Sequence, residues 1–96
     1  MADIKVFGVV GAGQMGRGIA QVAAQSGFDV RLLDANLELA QQGVQRIAKD
    51  LTRQVERGKM GADERDRVVA RITAVGEYPG MSDCDFLVEA ATERTD

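Results

Sequence analysis

Ile4-Lys-Val-Phe-Gly-Val-Val-Gly-Ala-Gly-Gln-Met-Gly16 is the stretch whose reading decides the fold. Ile4–Val10 is a short, nearly continuous apolar run with β-branched residues, the pattern of a strand covered on both faces of a parallel sheet. Gly11-Ala12-Gly13 breaks the run, and from Gln14 the period changes. Met15, Ile19, Val22 and Ala23 recur at helical spacing, and Gly27 stands where a C-terminal cap is expected. Phe28–Leu33 reads as a second strand that ends at Asp34. Strand, tight glycine turn, helix and strand make one βαβ unit, and its crossover is expected to be right-handed.

Downstream, Leu37, Ala40, Val44, Ile47, Leu51 and Val55 fall on one stripe of a long helix. Asn36 is its expected N-cap, Glu38 suits its first turn and Gly58 its stop. Ala62–Arg71 reads as a shorter helix, with Asp63 and Glu64 at its start and Arg71 at its end, as the macrodipole favours. Ile72–Val75 is a short strand, Glu77–Asp83 with Pro79-Gly80 a loop or irregular turn, and Cys84–Ala90 a further buried strand. The fold class is therefore α/β, a Rossmann-like parallel sheet with expected strand order 3-2-1-4.

Ninety-six residues suit one small domain. Apolar residues make up 45% and the net charge is only −3, which excludes disorder as the main state. No apolar run approaches the roughly 18 residues of a membrane span. Met1–Lys5 lacks the basic start and apolar stretch of a signal peptide. With one cysteine, Cys84, no intrachain disulfide forms, and a cytoplasmic setting is the expectation. The sequence has no histidine, which excludes a His triad, a His general base and a Cys/His zinc cluster within it. Few aromatics and a weakly negative charge argue against a nucleic-acid partner.

Gly11-Ala12-Gly13-Gln14-Met15-Gly16 fits G-x-G-x-x-G, and its place between a strand and a helix makes the pattern specific. Gly11 permits the turn, Gly13 lets the backbone approach a pyrophosphate, and Gly16 lets helix and strand pack closely. The N–H groups from about Gly13 to Met15 then face the phosphates at the positive end of the helix. The competing reading is a glycine turn that binds nothing. Asp34 lies 18 residues after Gly16, close to the spacing of the acidic residue that bonds an adenosine ribose. A carboxylate there repels a 2′-phosphate, and neighbouring Ala35 and Asn36 bring no cation, so NAD is expected over NADP. Residues 90–93 fall beyond the carboxyl end of the last strand, where ligands of open sheets bind. Glu93 can equally be a solvated carboxylate. Lys59, near Arg53 and Arg57 in a basic stretch, residues 46–71, either receives an anionic substrate group or belongs to a solvated basic helix end. Cys84 reads as a small apolar packing residue.

Val9-Val-Gly-Ala-Gly-Gln-Met-Gly-Arg-Gly-Ile-Ala-Gln21 resembles the start of the NAD-dependent 3-hydroxyacyl-CoA dehydrogenases, the bacterial 3-hydroxybutyryl-CoA enzymes above all. Gly27–Asp34, Leu51–Met60 and Asp85–Glu93 agree with the same family in order and spacing. The resemblance implies oxidation of (3S)-3-hydroxyacyl-CoA to 3-oxoacyl-CoA with hydride transfer to NAD. It implies that Gly11, Ala12, Gly13, Gln14, Met15 and Gly16 hold the pyrophosphate, Asp34 the adenine ribose, and that Ala90 and Glu93 lie against the cofactor. Lys59 matches a lysine near the CoA part of the substrate, on a long helical hairpin between strands 2 and 3. Members of that family are far longer and carry the catalytic histidine and a helical C-terminal domain beyond the matched region. Residues 1–96 are accordingly expected to be the N-terminal part of a dinucleotide-binding domain, inactive by itself, with acyl-CoA as substrate and homo-oligomers as the assembly of the complete protein. The alternative is a non-catalytic dinucleotide-binding or assembly module.

Overall fold

A computed structural model describes residues 5–90 of the chain. Strand β1 is Val6–Val10, β2 Asp29–Leu33, β3 Ile72–Val75 and β4 Phe86–Glu89. They form one parallel sheet in the order β3-β2-β1-β4, as the βαβ pattern predicts. In register, Val9 on β1 stands opposite Leu32 on β2 and Val88 on β4. The glycine turn at the end of β1 therefore lies beside the point between β1 and β4 where strand order reverses.

Helix α1 spans Gln14–Gln25, α2 Leu37–Glu56 and α3 Ala62–Ala70. They cover one face of the sheet around Val9, Val30, Leu32, Ile47, Leu51 and Ile72. The Asn36 side chain caps α2 by accepting from the Leu39 N–H at 2.9 Å. Gly58 ends α2 in the left-handed region at φ 73°, and the Lys59 N–H closes the cap on the Gln54 carbonyl at 2.9 Å. Ala40, Gly43, Ile47 and Leu51 carry the buried stripe of α2, whereas Leu37, also on the expected stripe, is exposed.

Helix α1 departs further from its apolar spacing. It lays Gly16, Ala20, Ala23 and Ala24 on the sheet and leaves Met15 and Val22 exposed. Small side chains let its backbone approach the strands closely, so the larger residues are turned to the flank. There Met15, Ile19 and Val22 join Phe7 and Phe28 around an apolar groove of about 540 Å³.

The opposite face is crossed by residues 76–85 on their way from β3 to β4. This stretch holds a 3-10 turn, Tyr78–Met81, within the segment that the sequence reads as a loop or irregular turn. Met81 is buried with Val10, Leu33 and Val75, and Cys84 packs beside them. Gly8, in the middle of β1, makes the room. A Cβ there would meet Leu87 Cδ1 at 2.7 Å, Cys84 Sγ at 2.8 Å and Met81 Cε at 3.0 Å. Arg31 on β2 clips the crossover down through its pair with Asp83 at 2.7 Å.

Asp85 secures the start of the sheet by accepting from the Val6 and Lys5 N–H groups, each at 2.9 Å. Those bonds hold its carboxyl below the ordinary value of 3.8. A carboxyl depressed in the folded state contributes stability that is complete above its unfolded value and is lost as pH falls through the folded one. Urea melts across pH are expected to show a stability loss that grows below about pH 4 and is shallower in Asp85→Asn. Equal acid limbs for the two proteins would count against this role.

Candidate dinucleotide site

The site grows from the turn that joins β1 to α1. Gly11 takes φ 107°, in the left-handed region that glycine occupies without strain, and its N–H donates to the Leu33 carbonyl at 2.7 Å. Gly16, one turn into α1, stands so close to Gly11 that an added Cβ would lie 1.6 Å from the Gly11 carbonyl oxygen. An added Cβ at Gly13 meets nothing within 4 Å. The first glycine makes the turn, the third permits the packing, and the second leaves its approach open.

Gly13 caps α1 without a side-chain bond, and the first turn of the helix carries no acidic residue. The first four N–H groups of a helix lack intrahelical partners. Here Gln14 and Met15 present two of them at an exposed helix start, with the positive end of the dipole behind. That arrangement fits a pyrophosphate. Asp34, half-buried at the end of β2, is tied to the same turn. Its Oδ2 accepts from the Ala12 N–H at 2.8 Å and its Oδ1 from the Ala35 N–H at 2.6 Å. With lone pairs left on both oxygens, the carboxylate can still accept from ribose hydroxyls.

Turn and carboxylate open on a cavity of about 680 Å³, whose lining includes Ala12, Gly13, Arg17, Asp34, Arg46 and Lys49. Gly43 brings α2 against the turn, since a Cβ there would come within 2.8 Å of the Ala12 Cβ. Arg17 donates to the Ala12 carbonyl at 3.0 Å. Arg17, Gly43, Arg46 and Lys49 escape sequence reasoning. The usable signal was Gly43, a glycine inside a helical stripe, which marks a close backbone approach.

Ala90 follows β4, is buried, and donates its N–H to the Val10 carbonyl at 2.8 Å, beside the end of β1. Glu93 lies outside the described residues. Lys59 is exposed in the turn after α2 and does not line the cavity. The 20 residues of α2 separate its two ends by about 30 Å. Among the described residues no group of three His, Cys, Asp or Glu side chains is placed to hold a metal ion, and no helix is long and apolar enough to cross a membrane.

Residues 6–96 match the family model of the 3-hydroxyacyl-CoA dehydrogenase NAD binding domain. The chain is 41% identical over 93 residues to a 3-hydroxybutyryl-CoA dehydrogenase of Bradyrhizobium diazoefficiens, covering 97% of this chain and 32% of that protein. It is 48% identical over 88 residues to a probable 3-hydroxybutyryl-CoA dehydrogenase of Deinococcus radiodurans, covering 92% of this chain and 31% of that one. Among solved structures, the (S)-3-hydroxybutyryl-CoA dehydrogenase of Ralstonia eutropha superimposes with a TM-score of 0.90 at 36% identity, over 98% of this chain and 33% of that one. The chain thus spans about a third of the length of the relatives it matches. It belongs to the 3-hydroxyacyl-CoA dehydrogenase family, matches that family's NAD-binding domain, and has NAD as its cofactor.

Proposed function

We propose that this chain is the N-terminal, NAD-holding part of an enzyme that oxidises (3S)-3-hydroxyacyl-CoA, with 3-hydroxybutyryl-CoA foremost, to the 3-oxoacyl-CoA. The observation that carries the proposal is the uncapped start of α1, open above Gly13 and joined through Ala12 to Asp34. Bound NAD would supply the hydride acceptor. Gly11 to Gly16 hold its pyrophosphate, Asp34 its adenine ribose, and Ala90 and Glu93 flank it at the carboxyl end of β4. Lys59 receives the CoA end of the substrate on the hairpin of α2 and α3. Loss of the alcohol proton needs a base, and a chain without histidine offers no side chain whose ordinary pKa suits that task near neutrality.

The 96-residue chain is therefore expected to bind NAD in titration calorimetry and to form no NADH from 3-hydroxybutyryl-CoA. Asp34→Ala is expected to weaken NAD by about 1.5–3 kcal/mol, the size of a charge-assisted hydrogen bond. Part of that loss comes from freeing the Ala12 N–H. No NAD binding by the folded chain, or sustained turnover free of contaminating enzyme, would overturn the assignment.

The single cysteine supports a cytoplasmic, reducing setting. Self-association is part of the same proposal. β4 is one of the two outer strands of the sheet formed by the described residues, and Phe86 and Leu87, one on each face, are 47% and 49% exposed. An apolar edge of this kind invites pairing with a second copy. Light scattering over a concentration series is expected to show a mass above the monomer's, and a monomer at every concentration would exclude it.

A further inference from the structure

Residues 76–85 do more than carry the chain from β3 to β4. Met81 is buried with Val10, Leu33 and Val75. Those three are the last residues of β1, β2 and β3. Val10 is followed by Gly11 and Leu33 by Asp34. The Met81 side chain thus lies behind both halves of the dinucleotide site, on the face of the sheet that the helices leave uncovered.

The strand ends need such a support. The Gly11 N–H meets the Leu33 carbonyl at 2.7 Å, but the Asp34 N–H meets the Val75 carbonyl only at 3.3 Å, long for a bond of this kind. The ladder is therefore loose where Asp34 leaves β2. Met81 runs behind that point into the gap at Gly8, where an added Cβ would lie 3.0 Å from its Cε. Its turn is fastened on both sides. Gly80 presses on Val75, since an added Cβ there would lie 2.6 Å from Val75 Cγ1. Arg31 donates to both Asp83 oxygens, at 2.7 and 2.9 Å, and to the Gly80 carbonyl at 3.2 Å. A flexible thioether held in this way fills an irregular slot whose walls are the strand ends.

We propose that Met81 is a positioning residue for NAD: wedged behind Val10, Leu33 and Val75, it fixes the separation between the glycine turn and Asp34, so that one ligand meets both. The proposal rests on the seating of NAD at Gly11 to Gly16 and Asp34 described above. Met81 does not line the cavity that opens there and acts only through the three strand ends. Without the wedge the strand ends settle part-way into the void, as the walls of a core cavity do. Asp34, tied to β3 by the long bond to Val75, is the first to move. A site that must be re-formed on binding loses affinity for a ligand that a preorganised site would keep.

Titration calorimetry with NAD on the folded 96-residue chain tests this in Met81→Ala, with Val68→Ala as a core-damaged control. Val68, on α3, is buried in the cluster on the other face. Corrected for any unfolded fraction, NAD is expected to bind about tenfold more weakly to Met81→Ala, and to Val68→Ala within about twofold of the unaltered chain. Amide exchange without NAD gives a second readout. Met81→Ala is expected to quicken exchange at Gly11 and Asp34 more than at Val30, whose N–H meets the Arg71 carbonyl at 2.7 Å. Where the alanine variant does not fold, Met81→Val decides instead. It keeps apolar bulk, loses the reach toward Gly8, and is expected to weaken NAD about threefold. The proposal is overturned if the folded Met81 variant binds NAD as tightly as the unaltered chain. An equal loss in Val68→Ala, or exchange quickened alike at all three amides, marks a merely structural side chain and also overturns it. Failure of the unaltered folded chain to bind NAD would bring down the nucleotide assignment as well, whereas unchanged binding in the Met81 variant refutes this inference alone.

Discussion

Gly16→Ala is expected to unseat α1 from β1, while Gly13→Ala leaves the fold standing and weakens NAD binding. The two glycines lie three residues apart in one motif, yet their surroundings are opposite. At Gly16 the new methyl would lie 1.6 Å from the Gly11 carbonyl oxygen, a backbone atom that cannot rotate away. The helix start must shift as a body. Overpacking of this kind costs about 1–3 kcal/mol and sometimes more. For a domain of this size the whole stability is about 5–14 kcal/mol, so the loss is a large fraction. At Gly13 the methyl meets nothing within 4 Å and the residue's φ of −72° suits alanine. Alanine is only a poorer N-cap, which costs on the order of 0.5–1 kcal/mol. The methyl does occupy the space through which a phosphate approaches, and NAD affinity is expected to drop at least about tenfold. Urea melts and calorimetry on both variants check the pair. Equal stability for both, or retained NAD affinity in Gly13→Ala, would contradict the division of labour.

Leu51→Ala is expected to cost about 2–5 kcal/mol, as large-to-small changes in a packed core do. Leu51 is fully buried on α2 and belongs to the same cluster as Ile72 of β3 and Val68 of α3. Its loss loosens the attachment of the α2–α3 hairpin to the sheet. Denaturant unfolding is the measurement, and a change under about 1 kcal/mol would mean that other contacts hold the hairpin.

The strand order and the ends of α2 were legible because each has a local chemical cause. Asn36 and Gly58 mark the helix by their own hydrogen bonds and backbone freedom, independent of what packs nearby. The buried face of α1 was not legible from apolar spacing. Alanine and glycine carry almost no hydrophobic signal, yet Gly16, Ala20, Ala23 and Ala24 are what a close helix–strand contact selects. The 3-10 turn at Tyr78–Met81 has no period to read, and its seat over Gly8 depends on a gap in another strand. At the site, Gly11 to Gly16 and Asp34 follow from one contiguous βαβ unit. Arg17, Arg46 and Lys49 are brought together only by the folding of α2 across α1, which no local spacing encodes.

The crossover packed over Gly8 also equips the chain with an internal clock. Cys84 is the sequence's one cysteine, and its thiol sits half-buried where β1 lacks a side chain. Burial pushes the thiol pKa up, which keeps the reactive thiolate scarce while residues 76–85 lie on the sheet. Alkylation of Cys84 is therefore expected to be slow in the unaltered chain and faster in Arg31→Ala, which frees Asp83 and loosens the crossover. The labelling rate of a single native atom then reports how firmly the crossover is seated, without any probe being added to the protein.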